Sequence, residues 1–128
     1  MSAGKYSFTV EQGATVDFEI QYKDSSNVPI DLSGYTARMQ IRSDYADNTN
    51  TLIASLTTVP DVDGTGLNMS GSSGTTPIQS GSIGIYISAA SSSAFTFNEA
   101  KYDLEIVSGS VVTRLLEGCV RLKKEVTR

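Results

Sequence analysis

The sequence predicts an all-β fold, a single antiparallel β-sandwich or small barrel with about seven to nine short strands. Three observations carry this prediction. Apolar and polar residues alternate with period two over several segments, which is the pattern of strands buried on one face. Turn residues recur every 8–12 positions, the spacing of sandwiches and small barrels. Ser, Thr and Gly are dense throughout, which suits strands and turns better than helices.

The elements follow in chain order. From Thr15 to Tyr22 every even position is apolar or aromatic, so Val16, Phe18, Ile20 and Tyr22 are expected to face a core. Lys23 to Asn27 reads as a turn, because Asn, Asp and Ser side chains bond their own backbone. Val28 to Leu32 contains Pro29, which lacks a ladder donor, and is expected as an edge or an extended connection. Tyr35 to Arg42 alternates again, with Tyr35, Ala37, Met39 and Ile41 inward. Asp44 to Asn50 is a polar loop; Leu52 to Val59 is a strand stopped by Pro60; Asp61 to Gly66 is turn material. Leu67 to Met69 is a short strand, Ser70 to Gly81 a Gly/Ser/Thr loop, and Ser82 to Ser88 a strand with Ile83, Ile85 and Ile87 on one side. Ala89 to Ala94 is the single helical turn expected. Tyr102 to Ile106 alternates, Ser108-Gly109-Ser110 is a hairpin turn, and Val111 to Lys123 is one long strand with a bulge expected at Gly118.

The length of 128 residues fits one domain, 1–128, with neither a long linker nor an internal repeat. Composition removes several functions. The net charge is −4 and the pI about 4.6, against the excess of Lys and Arg that nonspecific nucleic-acid binding requires. No apolar run approaches the roughly 18–20 residues of a bilayer span, and Met1 to Tyr6 has no apolar core of a secretory signal. With no His and one Cys, internal disulfides, zinc sites and Ser-His or Cys-His pairs have no residues to form from. No enzyme, cofactor or metal is expected.

Carboxylates are the remaining acid/base candidates. Asp17 with Glu19, and Asp103 with Glu105, share outward strand faces. Alternate residues on a strand fall by geometry near the roughly 5–9 Å that glycosidases use, so a solvated sheet face is the expected reading. Asp61-Val62-Asp63-Gly64 has the opening of a calcium loop but Thr65 and Ser72 where further ligands belong, so it reads as a β-turn. The Ser70 to Gly74 loop has no following Gly-Lys-Ser/Thr and opens no helix, so it cradles no phosphate. Cys119 is out of phase with Val120 and Leu122, with Arg121 as a cation on its own face. The stretch from Arg121 to Arg128 holds four of the ten basic residues and reads either as edge protection or as a docking segment for an acidic surface.

Three segments carry a resemblance. They are Gln12-Gly13-Ala14-Thr15 leading into a strand; Pro29-Ile30-Asp31-Leu32-Ser33-Gly34-Tyr35 running on to Arg42; and Tyr102-Asp103-Leu104-Glu105-Ile106 with Val112 to Gly118 and Glu125 to Arg128. The chain resembles small virion proteins of tailed bacteriophages, among them Ig-like sandwich proteins of tails and baseplates and the N-terminal domains of upper-baseplate adaptors. It departs from their pattern at Cys119 and at the Arg121 to Lys124 cluster. Physically, Asp31 is suited to bind turn donors while Leu32 seals the core. Arg38, Arg42 and Arg114 face outward toward Asp103, Glu105 or Glu117.

The resemblance implies a single antiparallel, Ig-like β-sandwich and a noncatalytic structural protein of the virion, made in the host cytoplasm, that acts as an assembly or fibre-adaptor module. It would sit in several copies against other virion proteins, without nucleic acid or membrane. Capsid decoration and carbohydrate binding are the alternatives; a hydrolase using Asp17 or Asp103 is the remote one. The partner-binding residues expected are Tyr45, Asp47 and Asn48 in one loop and Ser72, Ser73 and Thr75 in another. Arg121, Lys123, Lys124 and Arg128 complete the set toward the C-terminus.

Overall fold

The computed structural model describes residues 4–43, 52–59, 61–71 and 78–125. Nine strands stand among them: β1 (Gly4–Lys5), β2 (Phe8–Glu11), β3 (Val16–Gln21), β4 (Thr36–Ser43), β5 (Leu52–Thr57), β6 (Gly66–Asn68), β7 (Ser82–Ile87), β8 (Glu99–Ser108) and β9 (Val111–Lys123). One short helix, α1 (Ala89–Ser93), lies between β7 and β8, and a 3₁₀ turn spans Ile78–Ser80. The helical turn expected at 89–94 is present, and the 3₁₀ turn adds a second.

The strands form two sheets. In the larger, sheet A, β9-β8-β4-β5 run antiparallel, while β1 and β2 both pair parallel to β9 along its outer side. Sheet B has the order β3-β7-β6. The order β9-β8-β4-β5 facing β3-β7-β6 is the GFCC′ and BED arrangement of the immunoglobulin sandwich. Between the sheets, Phe18 of β3 and Tyr102 of β8 both pack on Phe8 beside the aliphatic core. The parallel pairings of β1 and β2 are the one departure from the antiparallel pattern read from the sequence.

Alternation sets the register of each sheet against the core. Met39 and Ile41 of β4, Leu104 and Ile106 of β8 and Val120 of β9 face Ile83, Ile85 and Ile87 of β7, all essentially without exposed surface. Each such side chain contributes about 1.5–3 kcal/mol by leaving water. Leu32 caps this core from the β3–β4 connection. Its turn is fixed by Asp31 Oδ1, which accepts from Ser33 N (2.9 Å) and Ser33 Oγ (2.6 Å). Asp24 does the same one turn earlier, accepting from Ser26 N and Val28 N. Val28 to Leu32 is an extended connection touching Lys23 by a single bridge at Pro29.

β9 needs one correction. Leu104 pairs with Leu116 and Glu105 with Arg114, so the residue left over is Leu115, and the bulge lies there rather than at Gly118. The extra residue switches the inward phase of β9, so that Leu115, Leu116 and Val120 all join the core while Arg114 and Glu117 stay outside. Gly118 serves another purpose. It lies against the backbone of Tyr6, and a Cβ there would stand 2.2 Å from the Tyr6 carbonyl oxygen.

Candidate functional site: the β5 edge, its groove and two polar faces

β5 is the last strand of sheet A, and among the described residues no strand pairs with its outer side. The run Leu52 to Val59, Leu-Ile-Ala-Ser-Leu-Thr-Thr-Val, is uncharged and rich in aliphatic and β-branched residues. Natural edges are usually blunted by Lys, Pro, inward charges or bulges, because bare N–H and C=O groups template pairing with another chain. Among the described residues this edge shows one such device: the register slips between Ile41 and Arg42, leaving Ile53 without a partner across the ladder.

Beside the edge, the two sheets part around a groove of about 790 Å³. Ile53 and Ala54 form one wall; Phe95 and Phe97, 5.5 Å apart, form another. Asp61, Thr65 and Ser91 supply the polar rim. Exposed Leu52 opens the strand, and exposed Val59 stands two residues beyond its end.

Asp63 ties the rim together. Asp63 Oδ2 accepts from Ser88 Oγ (2.5 Å) and Ser91 Oγ (2.6 Å), and Oδ1 accepts from Thr65 N (3.0 Å). Ser88 is also the N-cap of α1, accepting from Ser91 N at 3.0 Å. The turn before β6 is thereby tied to the first turn of the helix. The serine hydroxyls and the Thr65 amide hold the Asp63 carboxyl well below the usual carboxylate range. A carboxyl with a depressed folded pKa adds stability that is present above its unfolded pKa near 4 and is lost as pH falls through the folded value. Asp63→Asn should therefore lower the melting temperature at pH 7 and leave a shallower decline below pH 4 than the parent shows. Thermal denaturation between pH 2 and 7 checks it, and an unchanged acid limb would remove the assigned role.

The outer face of sheet A is an ionic lattice. Arg38 bonds Glu105 at 2.8 Å; Arg114 stands 3.6 Å from Asp103 and 3.8 Å from both Glu105 and Glu117; Lys5 also bonds Glu117. Asp103 and Glu105 thus face arginines, which is the arrangement of a charged surface rather than of an acid/base pair. Burial among Glu105 and Glu117 pushes the Asp103 carboxyl up, with Arg114 opposing, while Lys5 pulls Glu117 down. Arg42 Nε donates to Gln40 Oε1 at 3.1 Å.

Cys119 faces outward, as its phase predicts, but its neighbour is Lys101 directly across the ladder, with Nζ 3.0 Å from Sγ. Arg121 is occupied by Glu99 at 3.2 Å. Sequence reasoning missed Lys101 because strand pairing, not spacing, brings it there.

Of the residues expected to bind partners, Arg121, Lys123 and Lys124 are exposed at the end of β9. Lys124 Nζ donates to the Thr96 carbonyl at 2.9 Å, beside the Phe95–Phe97 wall of the groove. Tyr45, Asp47, Asn48, Ser72, Ser73, Thr75 and Arg128 lie outside the described residues. The β5 edge and the Asp63 node were not among the expected site residues. The uncharged run from Leu52 to Val59 was the available signal for the edge.

No known family model and no curated protein sequence matches the chain.

Proposed function

We propose that this chain is a noncatalytic structural protein of a tailed-phage particle, an assembly or fibre-adaptor module of the tail or baseplate that works through protein–protein contacts. The observation that carries this reading is the uncharged β5 edge lying beside an apolar groove. An extended segment of a neighbouring virion protein adds to such an edge through main-chain hydrogen bonds, and its alternate side chains fill the groove. The stiffness of the two-sheet block supports the same role, since a rigid module loses little entropy on docking. So do the acids of sheet A, which are engaged by arginines. The resemblance carried by Pro29 to Arg42 and Tyr102 to Ile106 supplies the setting.

The test has two arms. Purified particles should contain the chain in several copies per tail, with its density at the tail or baseplate in a particle reconstruction. Absence from washed particles overturns the reading, and density on the head shell transfers it to capsid decoration. In the second arm, Ser55→Lys with Thr57→Lys puts charges on the exposed side of β5. The free protein should lose no more than about 0.5 kcal/mol per site, the usual effect of a surface substitution. Incorporation into particles should fall at least tenfold, because a lysine on an edge strand opposes strand addition.

A further inference from the structure

A second surface, apart from the β5 edge, points to a contact between copies of the chain. On the outer face of sheet B, Asp17 pairs in register with Tyr86 and Tyr86 with Gly66, while Glu19 pairs with Gly84 and Gly84 with Asn68. Two of these outward positions are glycines, so the face is hollowed into a trough of about 290 Å³, bordered by Asp17, Asp63, Asn68 and Tyr86. β3, β6 and β7 contribute no lysine or arginine. The trough therefore combines a bare floor, an aromatic ring and the Asp17 carboxylate, with Asp63 already bonded to Ser88, Ser91 and Thr65, and these features receive an extended cationic side chain.

The chain itself carries the complement. Arg121, Lys123 and Lys124 are exposed at the end of β9, on the outer side of sheet A or just beyond it. Lys123 pairs in register with Glu11, and from there the chain turns through Gln12 to Ala14 directly into β3, where Asp17 sits. The basic cluster and the acidic trough thus occupy the same end of the sandwich on opposite faces. A copy displaced along the sandwich normal brings one onto the other.

We propose that sheet B of one copy docks on the β9 end of a second copy, with the exposed Lys123 side chain entering the Gly66–Gly84 trough beside Asp17 and Tyr86. The contact is heterologous, head to tail, and propagates by repetition unless the rotation between copies closes it into a ring. Repetition is what makes a small polar contact sufficient, since each added copy is held at high effective concentration.

Sedimentation velocity of the full chain at 10–500 µM (about the range a weak copy–copy contact requires) tests it. Association should appear at low salt and weaken about tenfold in Kd near 0.5 M salt, where exposed charges are screened. Asp17→Lys with Glu19→Lys gives a protein basic on both surfaces; Lys123→Glu with Lys124→Glu gives one acidic on both. Each alone should be monomeric, and an equimolar mixture should associate again. Should either double variant fail to give a native circular dichroism spectrum, Asp17→Asn and Lys123→Gln replace them, each expected to weaken association several-fold. A wild-type monomer at every concentration overturns the proposal, as does association that neither salt nor these variants disturb, or charge-reversed variants that fail to rescue each other. A monomer that binds an oligolysine peptide through Asp17 also overturns it, and assigns the trough to a different cationic partner.

Discussion

Gly81→Ala should destabilise the fold by about 3 kcal/mol, the sum of roughly 1–2 for left-handed backbone strain and 1–3 for overpacking. Gly81 has φ +72°, a conformation in which a side chain is strained whatever its surroundings. A Cβ there would also stand 2.4 Å from the Tyr22 carbonyl oxygen and 3.0 Å from that of Ile30. These are the groups that knit the end of β3 to the start of β7: Tyr22 N donates to the Gly81 carbonyl at 2.8 Å, and Ile30 N donates to the Tyr22 carbonyl at 3.0 Å. The neighbour that must yield is backbone already committed to two hydrogen bonds, so relaxation breaks pairing. Gly34→Ala separates the two causes. Its φ is +81° but nothing lies within 4 Å of the added carbon, so strain alone, about 1 kcal/mol, is expected. At roughly 4 °C per kcal/mol for a chain of this size, the two variants should melt about 8 °C apart. Equal losses would show that the collision is relieved without disturbing the β3–β7 ladder.

The same residues show what local sequence carries and what it does not. Val16 to Gln21, Thr36 to Ser43 and the Tyr102 to Ile106 part of β8 are legible because an alternating strand over a one-sided core fixes its own inward set: the expected Ala37, Met39 and Ile41 are buried. Asp31 and Leu32 are legible for a similar reason, since an Asx turn closes within two residues. The short parallel strands β1 and β2 are not, because they are defined by pairing with β9 more than a hundred residues away and hold too few residues for a period to register. The bulge at Leu115 is hidden because Leu115 and Leu116 are both apolar, and the pattern does not say which is the additional one. The Asp63 node joins groups 25 and 28 residues apart. Its sequence signal, Asp-Val-Asp-Gly, reads as a turn, and nothing local names the serines that complete it. Function follows this division. The outward carboxylates and their arginine partners Arg38 and Arg114 were legible as a charged surface, while the place of β5 at the edge of sheet A, unpaired on its outer side among the described residues, required the sheet order.

Gly118→Ala should lower stability by a comparable amount, about 1–3 kcal/mol and toward the upper end, for a purely steric reason. The added carbon would meet the Tyr6 carbonyl oxygen at 2.2 Å, its carbon at 2.8 Å and Ser7 Oγ at 3.2 Å, so the segment joining β1 and β2 must lift away from β9. That segment is held by Tyr6 N donating to the Glu117 carbonyl (3.1 Å), Cys119 N donating to Ser7 Oγ (3.2 Å) and Tyr102 Oη donating to the Tyr6 carbonyl (2.5 Å). Phe8 packs behind it, tilted against Phe18 and edge-on to Tyr102, with ring centroids 5.2 and 5.1 Å away. Lifting it leaves the Tyr102 hydroxyl without its acceptor in a largely buried site, which adds to the loss. Amide exchange should consequently accelerate in β1 and β2 before it does in β8. Removing residues 1–7 gives the decisive comparison. The truncation has its own penalty, but in that background Gly118→Ala should lose most of its effect, because the atoms it would strike are gone. If the two changes add instead, the glycine is required by something other than the passage of the N-terminal segment across β9.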